Sequence, residues 1–299
     1  MKIIIPMSGT GERFLKAGYT VPKPLLRVDG KLVIEHVVDM FPGEHDFVFI
    51  CNANHEERFK MSSFLKSIRP GAKVVVIPEH KKGPVYAVAQ AFETFGDDEE
   101  IIVSYSDFLI AWDYEDFKRA VRGTQCDGAI PCYTGFHPHL LRGNLYAGVL
   151  RDKEGYMLDI KEKHRFTEDP MESCHSCGIY YFRRGADVKR YFRELMEFDI
   201  NLNGEYYVSM VYYLYKRDGK RVLIYEVPKF LQWGTPEDLE EYEAWSRLFA
   251  KETNTRKGIT DIPTSREPHV KISCRKSTPE YSRTYDYWKE HFRRGSKMI

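Results

Sequence analysis

Three consecutive isoleucines, Ile3 to Ile5, run through Pro6-Met7 into a loop of small residues, Ser8-Gly9-Thr10-Gly11. An unbroken apolar run suits a strand covered on both faces, as in the parallel sheet of an α/β domain. The loop after it can turn sharply. Its glycines let backbone N–H groups approach an anion, because no Cβ stands in the way. Arg13 follows, and its planar fork of donors suits phosphate oxygens. Further on, Lys23 lies between Pro22 and Pro24, so its backbone is nearly fixed and its ammonium is held in one direction.

Two common phosphate loops are excluded. A dinucleotide fingerprint needs G-x-G-x-x-G, and Phe14 stands where the third glycine belongs. A P-loop needs Gly-Lys-Ser/Thr, which does not occur here. The stretch instead resembles the signature of the sugar-1-phosphate nucleotidyltransferases, G-x-G-x-R followed at a distance by P-K-P-L. In this chain that is Gly9, Gly11, Arg13 and Pro22-Lys23-Pro24-Leu25. Its P-M-S-G-x-G-x-R-F opening is also like that of capsule-building enzymes of this type. The resemblance implies an α/β fold: a three-layer α/β/α, Rossmann-like domain with a mixed, mainly parallel sheet. It further implies an NTP and a phosphorylated small-molecule acceptor as partners and Mg²⁺ as cofactor, with Met7, Ser8, Gly9, Thr10 and Gly11 forming the nucleotide loop.

At 299 residues the chain can bury a large core with an appendage. Lys and Arg number 45 against 44 Asp and Glu, so no global field recruits nucleic acid or a membrane surface. No apolar run is long enough to span a bilayer. Met1-Lys2 leads straight into a strand, which predicts no secretory leader. Six scattered cysteines suit a reducing cytoplasm rather than a disulfide framework. Cys174-His175-Ser176-Cys177 has half the pattern of a zinc site. The other half is missing, so buried thiols are expected there.

Short apolar strands alternate with helical patterns through the first half. Strands are expected at 46–51, 73–77 and 101–106, and helices at 33–41, 56–68 and 86–95. The fourth strand ends in Ser106-Asp107, at the carboxyl edge where open α/β sheets bind ligands. A carboxylate there can hold Mg²⁺ against a triphosphate, and Asp107 matches the family's metal-binding aspartate. Between strand three and its helix, Glu79 and Gly83 match the base-recognition segment, with Lys81 and Lys82 nearby. The division expected is a domain over 1–249, nucleotide-binding to 125 and acceptor-binding from 126, followed by an extension over 250–299.

From about residue 127 the pattern suggests longer, partly antiparallel strands. The resemblance places the acceptor site here. Tyr146-Ala147-Gly148-Val149 is similar to the family's Y-G-V strand, whose glycine lets substrate approach. Lys161-Glu162-Lys163 is similar to its E-K-P element, with His164 replacing the proline. Glu162 is then expected to accept sugar hydroxyls and Lys163 to hold the acceptor's phosphate; Gly178 opens the G-I-Y strand. Helices are expected over 184–198 and 205–217.

Two departures concern the metal. Val208 stands where the family's E-x-x-D has its aspartate after Glu205, and Gln232 replaces the acid of W-x-D-x-G-T. Glu205 is therefore the candidate second ligand. Gly234-Thr235-Pro236-Glu237-Asp238-Leu239 reads as a helix start and matches the family's G-T-P-E-D-L. The resemblance ends at residue 249. The basic tail beyond it carries Tyr281, Tyr285, Tyr287, Trp288 and Phe292, too many aromatics for a disordered segment. A short helix over 286–293 is expected, docked on the core or on a second subunit.

The implied reaction joins an NTP to a sugar 1-phosphate and releases pyrophosphate, with Arg13 and Lys23 as the catalytic charges. Three alternatives remain at this stage. One is a cytidylyltransferase for a non-sugar phosphate or phosphonate, such as phosphocholine. The others are a non-catalytic nucleotide-sugar sensor and a component whose tail drives homo-oligomer assembly.

Overall fold

The computed structural model describes residues 1–135, 137 and 146–255. All three isoleucines are out of water in β1 (Lys2–Pro6). The chain then passes through α1 (Glu12–Lys16) and a small hairpin of β2 (Arg27–Val28) and β3 (Lys31–Leu32) into α2 (Val33–Asp39). Ile34, Val37, Val38 and the following Phe41 are fully buried, as their spacing predicts. Next come β4 (Phe47–Asn52), α3 (Ala53–Phe59), α4 (Met61–Ile68), β5 (Lys73–Ile77), α5 (Gly83–Ala89) and β6 (Ile101–Ser104). The order β6-β1-β4-β5 is parallel throughout.

Two helices depart from expectation. The one expected over 56–68 is broken into α3 and α4 at Lys60, whose φ of 51° is left-handed. The one expected over 86–95 starts at Gly83 and stops at Ala89, before a 3₁₀ turn at Phe92–Thr94. Past Asp107 the chain adds β7 (Phe108–Ala111) and α6 (Tyr114–Thr124), for which the sequence reading had no counterpart.

The second half supplies β8 (Gly128–Tyr133), β9 (Gly148–Arg151), β10 (Met157–Lys161), β11 (Cys174–Ser176), β12 (Ile179–Phe182) and β13 (Val222–Glu226). β13 runs parallel along β8, whose other edge meets β12 at its start and β11 at its end, both antiparallel. β9 and β10 continue outward antiparallel, and β12 joins this half to β6. β11 and β12 are separated by a bend at Gly178, φ 90°. α7 (Gly185–Glu197) and α8 (Val208–Arg217) follow. The helix expected from Glu205 begins three residues later, because Asn203 and Gly204 take positive φ (55° and 80°) and make a turn. A separate antiparallel pair joins β14 (Lys229–Gln232) to β7. In α9 (Pro236–Thr255) the first turn is capped by Thr235 Oγ1, which accepts from Asp238 N–H at 3.2 Å.

Alternation along the strands builds a core on each face of the sheet. Ile4, Val48 and Val103 point with α5, α7 and α8; Ile3, Ile5, Phe47 and Phe49 point with α2, α4 and α6. The result is a three-layer α/β/α domain on a mixed sheet. A third, smaller core joins Phe14, Leu26, Val28 and Val33 to Trp233 and Leu239. It ties α1 and the segment after Pro-Lys-Pro to the start of α9. The chain divides into two compact units, Met1–Ala250 and Lys251–Ile299. The tail aromatics and the helix expected over 286–293 lie outside the described residues.

Candidate active site

The glycine loop leaves β1 at the carboxyl edge of the parallel strands. Met7 N–H still follows the ladder, donating to Ile50 O at 2.9 Å. Gly11 then takes φ 67°, and its carbonyl accepts from Phe14 N–H (2.9 Å) and Leu15 N–H (3.1 Å), opening α1. This left-handed position suits a residue without Cβ. Asn52, buried at the end of β4, braces the loop from below: its Nδ2 donates to Ser8 O at 3.1 Å while its Oδ1 caps α3 through His55 N–H at 2.8 Å. Phe14 is anchored in the third core, which leaves its neighbour Arg13 exposed.

Lys23 lies where three distant motifs meet. Its Nζ donates to Asp107 Oδ2 at 2.9 Å and to Gly234 O at 3.1 Å, and it lies 5.4 Å from the Phe14 ring centroid. Lys23 and Asp107 keep 22% and 29% of their side-chain exposure, so the pair is open to a ligand. The Asp107 carbonyl accepts from Trp233 N–H at 2.8 Å, extending the β7–β14 pairing to Trp233, next to Gly234. The position of the Lys23 ammonium is thus set from three sides.

Gln232 answers one of the departures. Its Oε1 accepts from the Tyr146 hydroxyl at 2.7 Å and its Nε2 donates to Asp238 Oδ1 at 2.8 Å, all within the protein. The amide therefore wires Tyr146 to Asp238 where an acid was expected. Sequence reading missed this role for both residues. Their only signal was membership of the Y-G-V and G-T-P-E-D-L motifs.

Among the described residues no three His, Cys, Asp or Glu side chains gather as a metal cage. Mg²⁺ does not require one, since it keeps waters and takes one or two carboxylates plus substrate phosphates. Asp107 has hard oxygen donors just past the end of β6, the strand paired with β1, so the donor chemistry fits an ion carried on a phosphate chain. Val208 is fully buried, its N–H donating to the Tyr105 hydroxyl at 3.2 Å. Glu205 hydrogen-bonds Tyr207 in a second cluster and is not among the partners of Lys23.

That second cluster is built from β10 and α8. Ser209 Oγ makes a short hydrogen bond to the Glu162 carboxylate, and Glu162 N–H donates to the Tyr213 hydroxyl at 3.1 Å. Lys163, at φ 51°, donates from Nζ to the Tyr207 hydroxyl at 3.3 Å and lies 5.2 Å from that ring. Burial raises the Glu162 carboxyl above its ordinary range and the nearby Glu205 adds to this; Ser209 and Lys163 oppose it. Burial, then the hydrogen bond to Glu205, likewise raises the Tyr207 phenol, while the charge of Arg13 pulls it down. Arg13 of the first loop thus reaches the field of this second cluster.

The motif glycines of this half pack the protein against itself. A Cβ on Gly148 would lie 2.2 Å from the His164 carbonyl oxygen, so the close approach it permits is that of the chain at the residue replacing the family's proline. At Gly178, φ 90°, a Cβ would lie 3.1 Å from both the Phe108 and Tyr105 rings. At both positions the missing Cβ makes room for the protein's own chain.

Gly83, φ 82°, is similar: a Cβ would meet Tyr206 N and O at 2.8 Å. Val85 N–H donates to Tyr206 O (3.1 Å) and Tyr206 N–H to Lys82 O (3.0 Å), stitching the segment between β5 and α5 to the turn before α8. Glu79 is exposed and bonds Asn54. Lys81 pairs with Glu12, and Lys82 lies 4.8 Å from the Tyr86 ring.

The sequence model of the MobA-like NTP transferase domain matches residues 3–167, more than half the chain. The chain belongs to that family. The matched NTP transferase domain runs from β1 through the glycine loop, Lys23 and Asp107 to Lys163 and just beyond. The resemblance to sugar-1-phosphate nucleotidyltransferases has support from relatives. The bifunctional protein GlmU of Lactobacillus helveticus is 27% identical over 76% of this chain and 47% of its own length. That of Methanocaldococcus jannaschii is 23% identical over 61% and 40%. The chain therefore spans about half the length of the curated relatives it matches. The crystal structure of a nucleoside-diphosphate-sugar pyrophosphorylase from Vibrio cholerae RC9 superposes with a TM-score of 0.67 at 20% identity. It covers 81% of this chain and 99% of that one, and shares the fold. Among the described residues no helix is long and apolar enough to cross a membrane.

Proposed function

We propose that the protein transfers a nucleoside monophosphate from an NTP to a phosphomonoester, a sugar 1-phosphate first of all, and releases pyrophosphate. The observation that carries this reading is Lys23, set between Asp107 and the Gly234 carbonyl at the carboxyl ends of the parallel strands. Met7, Ser8, Gly9, Thr10 and Gly11 hold the triphosphate, and Glu79 and Gly83 border the nucleoside. Glu162 and Lys163 meet the acceptor, on backbone shaped by Gly148 and Gly178.

The acceptor's phosphate oxygen is ionised at neutral pH, so the chain needs no general base. That oxygen bonds to the α-phosphorus as the bond from phosphorus to the bridging oxygen of pyrophosphate breaks. Lys23 holds the α-phosphate and the attacking phosphate together, and Arg13 neutralises the leaving pyrophosphate. The work is positioning and charge neutralisation. Asp107 is the residue that would hold Mg²⁺, which when bound neutralises phosphate charge; Glu205 belongs with the acceptor. A cytoplasmic setting suits the five described cysteines, all free and buried.

A second reading keeps the chemistry and changes the acceptor. Glu162 and Glu205 both bear on Tyr207, and two carboxylates beside a tyrosine suit an amine-bearing phosphate or phosphonate as well as sugar hydroxyls. One experiment separates these readings. The four ribonucleoside triphosphates and dTTP are crossed with sugar 1-phosphates, phosphocholine and a phosphonate, and pyrophosphate is measured with Mg²⁺. Release with a sugar 1-phosphate supports the first, release with phosphocholine or the phosphonate the second, and silence across the panel contradicts both.

A further inference from the structure

His80 was assigned nothing by sequence pattern, yet it joins the two parts of the nucleotide site. It lies in the segment between β5 and α5 that borders the nucleoside, and its Nε2 is 2.9 Å from Ser8 Oγ in the phosphate loop. Its other nitrogen settles the direction of that bond. Nδ1 is 3.2 Å from the Lys82 N–H and accepts from it, so Nδ1 carries no proton. In the neutral ring the proton is then on Nε2, which donates to Ser8 Oγ. Burial, and then the neighbouring Lys82, depress the imidazole below its ordinary range, which favours the neutral ring.

Ser8 is held by this bond from one side and by Asn52 from the other. Its carbonyl accepts from Asn52 Nδ2 at 3.1 Å, and only 3% of the residue is exposed. The imidazole is itself steadied by the Tyr86 ring, centroid to centroid 4.7 Å. With its oxygen accepting from His80, the Ser8 hydroxyl has its own proton left to donate. Ser8 leads directly into Gly9 to Gly11, whose backbone has little side-chain packing of its own to fix it.

We propose that His80 is a positioning residue for the phosphate loop: by donating to Ser8 Oγ it couples the nucleoside-bordering segment to the residues that grip the triphosphate. The inference rests on the loop's being the NTP site. Its effect falls on the nucleotide and spares the acceptor, whose cluster is built from β10 and α8.

The test is steady-state kinetics and direct NTP binding on the full chain. His80→Ala is expected to weaken NTP binding and raise its KM about tenfold, the scale of one lost hydrogen bond in a site, with the acceptor KM unchanged. Ser8→Ala should give a similar loss, and the double variant little more than either alone, because both remove the same bond. His80→Gln, whose side-chain amide can still donate from near the place of Nε2, should recover most of the loss. Additive losses, or a Gln variant as weak as Ala, would overturn the proposal and leave His80 as packing for Tyr86. Were the wild type to bind no NTP at all, the loop reading itself would fail, a result distinct from any of these.

Discussion

The glycines of the first loop are placed in the opposite way to the other motif glycines of the domain, Gly83 among them. At Gly9 and Gly11, in the nucleotide half, an added Cβ would meet nothing within 4 Å. At Gly148, in the acceptor half, it would run into the His164 carbonyl at 2.2 Å, and at Gly178 into two aromatic rings at 3.1 Å. The same residue type thus stands in open space in one motif and in close packing in the others. The first loop rests on a finished parallel sheet and stays open. The second half folds strands from several parts of the chain against each other, and Gly148 and Gly178 sit where those segments meet.

Four experiments would break or sharpen this contrast. The largest effect is expected at the motif junction: Lys23→Ala should lower turnover about a hundredfold to a thousandfold, as for other lost transition-state donors, with the fold intact by circular dichroism. Near-normal pyrophosphate release from that variant would remove Lys23 from the chemistry.

The next effect is on stability and comes from the acceptor half. His175 is fully buried in β11, and burial, with the charge of Arg165, depresses its imidazole to about 4. The unfolded chain takes up this proton near the ordinary value of 6.5, so the stabilisation is complete above that pH and is lost as pH falls toward 4. The loss over that window is roughly 3 kcal/mol. Urea midpoints of the wild type and His175→Gln should differ in their pH slope over that window. Parallel slopes would show that the imidazole titrates normally.

Gly148→Ala should cost roughly 1–3 kcal/mol by overpacking, read from the same denaturation curves. Gly9→Ala should leave stability unchanged and raise the KM for NTP. If Gly9→Ala proved as damaging to the fold as Gly148→Ala, the contrast between open and closed glycines would be wrong. The smallest change is expected at Glu162→Gln, about tenfold in acceptor KM with that for NTP unaffected, on the scale of one hydrogen bond to a charged group.

The first strand and its loop were legible because their signals are local. Ile3 to Ile5, Gly9, Gly11 and Arg13 follow one another, and Pro22 and Pro24 fix Lys23 by covalent geometry. Asp107 was legible from its place after an apolar strand. The long-range pairing was not: nothing near Lys23 in sequence announces the Gly234 carbonyl as its partner. Gln232 was seen as a departure, but its role between Tyr146 and Asp238 depends on contacts across the fold. The break at Lys60 was missed because apolar periodicity continues through it while one backbone angle changes sign. His80 was passed over for a like reason, since its bond spans 72 positions of the chain.

The most direct test of nucleotidyl transfer is isotopic. With the substrate pair that releases pyrophosphate, the acceptor's phosphate is labelled with ¹⁸O and the products are weighed by mass spectrometry. Attack by an acceptor oxygen on the α-phosphorus predicts all of the label in the nucleotide-linked product and none in the pyrophosphate. Label in released phosphate, or no nucleotide-linked product at all, would contradict the account.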